Sequence, residues 1–168
     1  LVDPVGGALT GSMWPAFSNE WHARTGRRSA FVEAAHGGTS LLPNASGDWS
    51  PAGSLRGTAV AAANSAVAAL VAAGEAVGKV YVMWLQGEND ASSDNGTTIT
   101  PDLYQSALES LADYFAANVS GFTKMAVVGL GGYAGSLGDA ESFAPENKSI
   151  RKYAAAQEAA CNSNSNLV

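Results

Sequence analysis

The stretch Lys79-Val-Tyr-Val-Met-Trp-Leu-Gln-Gly-Glu-Asn-Asp90 decides the fold. After its lysine the run to Leu85 is apolar without alternation, the pattern of a strand covered on both faces, as in parallel sheets between helical layers. Gln86 to Asp90 then turns abruptly polar. In open parallel α/β sheets, ligands bind beyond the carboxyl ends of the strands, where loops converge and following helices aim their N-termini inward. The stretch therefore predicts a buried strand with a candidate site at its end.

Working outward, the Ala-rich run from Ser54 to Ala76 reads as a helix with Val60, Val67, Leu70 and Val71 on its apolar side, stopped by Gly78. Downstream, Thr100 with Pro101 and Asp102 makes an N-cap and first turn, and Tyr104, Leu108, Leu111 and Phe115 recur at helical spacing. Met125 to Leu130 is the next strand, and Pro145 to about Ala160 a last helix with Ile150, Tyr153, Ala154 and Gln157 on one side. Asn166 to Val168 reads as the opening of a further strand. At the N-terminal side, Leu1 to Gly11 is a loop, and Ser12 caps a short helix carrying Trp14, Phe17 and Trp21 that ends near Gly26. Ser29 to Ala35 reads as a short strand running into the turn His36-Gly-Gly-Thr-Ser40. Helices alternating with strands enforce parallel pairing through right-handed crossovers, so residues 1–168 are read as a single α/β domain of three layers.

Composition narrows the function. The chain has 168 residues, 46% of them hydrophobic and 14% charged, which excludes a disordered chain or a coiled coil. A net charge of -6 and a pI near 4.7 disfavour a non-specific grip on nucleic acid, so none is expected as a partner. Apolar stretches such as Ala66 to Ala73 fall short of the ~20 residues that cross a bilayer, and no membrane partner is expected. The single cysteine, Cys161, excludes an intrachain disulfide and a multi-Cys metal site, and reads as a buried small hydrophobe.

Two of the loops at strand ends carry chemistry. In His36-Gly37-Gly38-Thr39-Ser40 the central residues lack side chains, so backbone N–H groups can approach a ligand oxygen, as stabilising a developing oxyanion requires; the plain alternative is a tight turn. His36 is either a base or a hydrogen-bonded structural residue. Glu88 and Asp90 invite a paired-carboxylate glycosidase reading, but residues two apart in one loop rarely face each other across a sugar. Gln86 suits another task, donating an N–H to a negative oxygen without adding charge.

Val82-Met-Trp-Leu-Gln-Gly-Glu-Asn-Asp90 resembles the W-x-Q-G-E-x-D block of the sialate O-acetylesterase-like and carbohydrate esterase family six members of the SGNH (GDSL-like) hydrolase superfamily. Ala35-His-Gly-Gly-Thr-Ser40, followed by Trp49, resembles the A-x-G-G-T-S…W block that precedes it there, and Ile150-Arg151 with Gln157 is similar to a weaker pattern in the last long helix. The resemblance implies a flavodoxin-like parallel sheet and a serine-dependent O-acetylesterase acting on an acetylated carbohydrate, with no metal or other cofactor. It implies that Gly37 or Gly38 supplies a backbone oxyanion donor and Gln86 a side-chain donor. His36, Thr39, Ser40, Trp84, Gly87, Glu88 and Asp90 would form the substrate pocket.

The family's G-Q-S-N nucleophile block and D-x-x-H base block do not occur in residues 1–168. Gly11-Ser12 is the nearest imitation of the first, but Asp3, Pro4, Gly6 and Gly7 before it do not make an apolar strand. Ser40 reads as a turn or pocket hydroxyl. The missing first strand would be central, leaving the edges of residues 31–35 and 80–85 unpaired. The expectation is therefore the middle of a longer polypeptide, inactive alone, whose flanks or a companion chain supply the serine and the histidine. The alternative is a non-catalytic glycan-binding or structural domain of a larger surface or viral tail protein, and either suits an extracellular or virion-associated place.

Overall fold

In the computed structural model, residues 13–43, 48–130 and 145–168 are described. Their elements are α1 (Trp14–Thr25), α2 (Leu55–Ala72), β1 (Val80–Trp84), α3 (Glu88–Ser92), α4 (Pro101–Asn118), β2 (Phe122–Val127) and α5 (Pro145–Ser163). Two units divide the chain, Leu1–Glu33 and Ala34–Val168.

Within the first unit, α1 starts with Pro15 in its first turn and ends at Gly26, whose left-handed backbone (φ 68°) lets its N–H reach His22 O at 2.8 Å. Ser12 lies outside the described residues, and Met13 occupies the N-cap position. The helix buries none of its residues, and its aromatic side chains pack locally, Trp14 against Phe31 at 4.8 Å and Phe17 stacked on Trp21 at 6.1 Å. The strand expected over Ser29–Ala35 is corrected: residues 27–36 have no regular structure. Phe31 and Val32 have strand propensity, but propensity makes no ladder without a neighbouring strand.

In the second unit, β1 and β2 pair in parallel, Val82 opposite Met125 and Trp84 opposite Val127. α3 and α4 form the connection between them, long enough for the parallel return. On the far edge of β2, Leu167 bridges Met125 in parallel, with Met125 N–H donating to Asn166 O at 2.9 Å and Val168 N–H to Met125 O at 3.1 Å. The expected opening of a further strand is thus present. The chain is of mixed α/β character around a small parallel sheet.

One face of this sheet carries the core. Thr100 caps α4 by accepting the Leu103 N–H, and the helix turns Tyr104, Leu108, Leu111, Ala112 and Phe115 inward. They pack in one cluster with Trp84 and Met125 of the strands and Tyr153, Ala156 and Ala160 of α5, and the Tyr104 and Tyr153 rings meet edge to face at 5.2 Å. The expectation that β1 is covered on both faces is corrected: Val82 and Trp84 face the core, whereas Tyr81, Met83 and Leu85 are exposed, Leu85 by 65%. Val80 N–H bonds to Gly121 O, and Trp84 O accepts from Val128 N–H, so alternation sends the backbone groups of Tyr81 and Met83 to the other edge of β1. Among the described residues no strand pairs with that edge.

α2 buries Ala59 in the same core and adds polar contacts at α4 and the turn after it. Asn64 accepts the Ser120 N–H and donates to Asn118 O, both at 2.9 Å, and the Arg56 guanidinium sits 4.2 Å from the centre of the Tyr114 ring. By length and composition alone, its 18 residues, mean hydropathy 1.4, are enough to cross a bilayer. Alanine rather than leucine sets that value.

Burial ranks the side chains. Truncating the fully buried Leu108 to alanine is expected to cost about 2–5 kcal/mol in urea unfolding, whereas Leu85→Ala on the open face stays within about 0.5 kcal/mol; equal losses would contradict this assignment of the core.

Candidate functional site

The candidate site forms where β1 ends. Trp84, the last residue of the strand, is buried and meets the Trp49 ring edge to face at 5.2 Å. Beyond it the chain turns at Gly87, whose φ of 142° is open to glycine alone. A Cβ there would lie 2.7 Å from Leu130 Cδ1 and 3.0 Å from the Tyr104 hydroxyl, so the turn also demands the absence of a side chain. The one-turn helix α3 follows where a loop was expected, and it folds Asp90 back under the strand end.

Asp90 is fully buried, and its carboxylate holds the two loops together. Oδ2 accepts the Leu41 N–H and Oδ1 the Leu42 N–H, each at 2.9 Å. Gln86 Nε2 donates to Asp90 Oδ2 at 2.5 Å and to Thr39 O at 3.1 Å, so both amide hydrogens go to protein acceptors. Asn89 Nδ2 donates to Ser40 Oγ at 2.6 Å and more distantly to Gly38 O at 3.4 Å. Burial pushes the Asp90 carboxyl above its ordinary value, and the bonds from Gln86, Leu41 and Leu42 act against that rise by favouring the charged form.

A second set of bonds fixes the strand end from behind. Gln86 O accepts from the Tyr104 hydroxyl at 2.7 Å and from Gln157 Nε2 at 2.9 Å. Gln157 Nε2 also reaches the Tyr104 hydroxyl at 3.1 Å, and Gln157 Oε1 accepts the Leu130 N–H at 3.1 Å. Burial raises the Tyr104 phenol well above its usual range, keeping it a neutral donor. The upstream loop has its own brace: Trp49 Nε1 donates to Thr39 Oγ1 at 3.0 Å, and Thr39 Oγ1 donates to His36 O at 2.8 Å.

The site residues read from the sequence separate into two groups. Thr39, Ser40, Trp84, Gly87 and Asp90 are buried, and Gln86 is half-buried; these form the foundation. His36, Gly37, Gly38 and Glu88 are exposed at the rim. Gly38 adopts a left-handed backbone (φ 73°), and space is open around both glycines. Ser40 is wholly buried, so its hydroxyl is held in the foundation. Ser12 lies outside the described residues. A cavity of about 200 Å3 opens beside Trp49 and Leu41, lined also by Ser50, Arg56 and Leu111, and includes none of the rim residues. Among the described residues, no group of three or more His, Cys, Asp or Glu side chains is placed to hold a metal ion.

Sequence reasoning missed the backbone N–H groups of Leu41 and Leu42, and it took Tyr104 for a core residue only. The signal for Tyr104 was its place in the first turn of a buried helix, where a hydroxyl must find a partner. Gln157, on the inner side of its helix, carried the same signal. No family model, curated protein or solved structure matches this chain.

The Asp90 bridge has a measurable consequence. Asp90→Asn keeps the shape but turns an N–H2 toward a backbone donor, and a stability loss of about 1–3 kcal/mol is expected by chemical denaturation; a neutral result would show that the carboxylate does not hold the loops.

Proposed function

We propose that this chain contributes the oxyanion side of a serine-dependent carbohydrate O-acetylesterase with a three-layer, flavodoxin-like sheet of the SGNH type. The observation that carries the reading is the hydrogen-bonded junction of the Gly38–Ser40 turn with Gln86 and Asp90 at the carboxyl end of β1. The two blocks on which the family resemblance rests, about fifty residues apart in the chain, thereby become one structural unit.

Two features of the sheet support the reading. β1, β2 and the Leu167 bridge form consecutive parallel neighbours, as strands three, four and five do in the 2-1-3-4-5 order. Among the described residues no strand pairs with the edge of β1 away from β2, where the central strand bearing the serine would lie. The exposed face of Tyr81, Met83 and Leu85 likewise suits a second helical layer.

In this proposal a serine from a flanking segment, or from a companion chain, attacks the acetyl carbonyl of a sugar ester. The exposed N–H groups of Gly37 and Gly38 donate to the oxygen as it becomes negative. Gln86 joins them by releasing Thr39 O, the longer of its two bonds, and keeps Asp90. Asp90 transfers no proton: it is buried, and its oxygens are committed to Leu41, Leu42 and Gln86. His36 and Glu88, exposed at the rim, meet the sugar. The second reading, a glycan-binding or structural module without turnover, is favoured by one observation, that both Gln86 hydrogens are already engaged.

Hydrolysis of p-nitrophenyl acetate by the full-length polypeptide separates the two. Turnover that falls about 100-fold or more in Gln86→Ala is the expected result; a rate unchanged by the substitution removes Gln86 from the mechanism, and sugar binding without turnover supports the module.

A further inference from the structure

α3 and α4 are joined by Ser93-Asp-Asn-Gly-Thr-Thr-Ile-Thr100, which holds the one Asn-Gly pair in the chain, Asn95-Gly96. The Asn95 side chain is held on all sides. Its Oδ1 accepts the N–H groups of Thr97 at 3.0 Å, Thr98 at 2.9 Å and Ile99 at 3.1 Å, and the Thr97 hydroxyl at 3.0 Å. Its Nδ2 donates to Thr98 Oγ1 at 2.9 Å. The next backbone nitrogen, Gly96 N–H, donates to Asp94 Oδ1 at 3.0 Å.

We propose that this loop is a self-modifying site, at which the fold accelerates deamidation of its own Asn95. Gly96 N attacks Asn95 Cγ while its proton passes to the Asp94 carboxylate, and the carbonyl electron pair moves onto Oδ1. The tetrahedral centre collapses, the Cγ–Nδ2 bond breaks, and the departing nitrogen takes the proton back from Asp94 and leaves as ammonia. A five-membered succinimide remains. Water opens it at either carbonyl, giving aspartate or isoaspartate at position 95. One water is consumed and one ammonia released, with no change of oxidation state.

The loop supplies a base, donors to the developing charge and an unhindered nitrogen for that reaction. An amide nitrogen is a weak nucleophile, and a carboxylate within hydrogen-bond reach of its proton is a general base. Negative charge develops on the amide oxygen, where three N–H groups and a hydroxyl are already aimed. Gly96, at φ 70° and with no atom near its missing Cβ, offers the attacking nitrogen without a side chain in the way. Both residues are exposed, so water reaches the succinimide. Aspartate would keep an acceptor for the same N–H groups, while isoaspartate would lengthen the backbone before the Thr100 cap of α4.

The experiment incubates the protein folded and in urea at one pH and temperature, then follows the tryptic peptide Val80–Lys124 by mass spectrometry for amide-to-acid conversion at Asn95, with isoaspartate detected by enzymatic methylation. Asn89 and Asn118, on the same peptide, serve as internal references. Conversion at Asn95 is expected to be faster in the folded protein, by about 100-fold if Asp94 works at the low end of general-base catalysis. Asp94→Asn should slow the folded rate and leave the unfolded rate unchanged. A folded rate at or below the unfolded one, or one that Asp94→Asn does not slow, overturns the proposal.

Discussion

The buried carboxylate of Asp90 is the constraint on which the site depends. An ionised group in a protein interior survives only with its oxygens satisfied, and here two backbone N–H groups and one amide satisfy them. Two of the donors, Leu41 and Leu42, lie 49 and 48 positions upstream of Asp90, so the same bonds that stabilise the charge also fix one loop on the other. Neither loop holds this geometry by local preference alone. A glycine turn tolerates many conformations, and α3 is too short to be stable by itself.

Around that bridge the molecule combines a rigid base with an open rim. Tyr104 and Gln157 saturate the carbonyl of Gln86 from the core side, and Gly87 is the residue that lets the tyrosine hydroxyl come so close. Exposed glycine N–H groups then sit on a foundation whose side chains are committed to one another. In the proposed esterase, such preorganisation would serve the glycine donors, since donors that must be ordered during the reaction contribute less. The sheet itself is less complete: one face is covered by α4 and α5, and the other exposes tyrosine, methionine and leucine.

Much of this was legible in the sequence, for identifiable reasons. α4 was readable because Thr100 and Pro101 mark its start and apolar residues recur at helical spacing, all local signals. β1 and the polar block behind it were readable because a long apolar run ended so sharply. The strand over Ser29–Ala35 was not, because a strand exists only through its neighbours, and residue types cannot report whether a neighbour is there. The same limit explains the exposed face of β1, where a continuous apolar run says that both faces want cover without showing that both have it. Asp90 was legible as a carboxylate at the strand end, but the bonds it makes depend on two backbone donors, which every sequence possesses and none displays.

Amide hydrogen exchange, resolved residue by residue in the folded protein, tests the bridge most directly. The Leu41 and Leu42 amides should be strongly protected while those of Gly37 and Gly38, a few positions upstream in the same loop, exchange quickly. Exchange at Leu41 and Leu42 as fast as at the glycines would mean that the loops are not joined through Asp90, and the site described here would not exist.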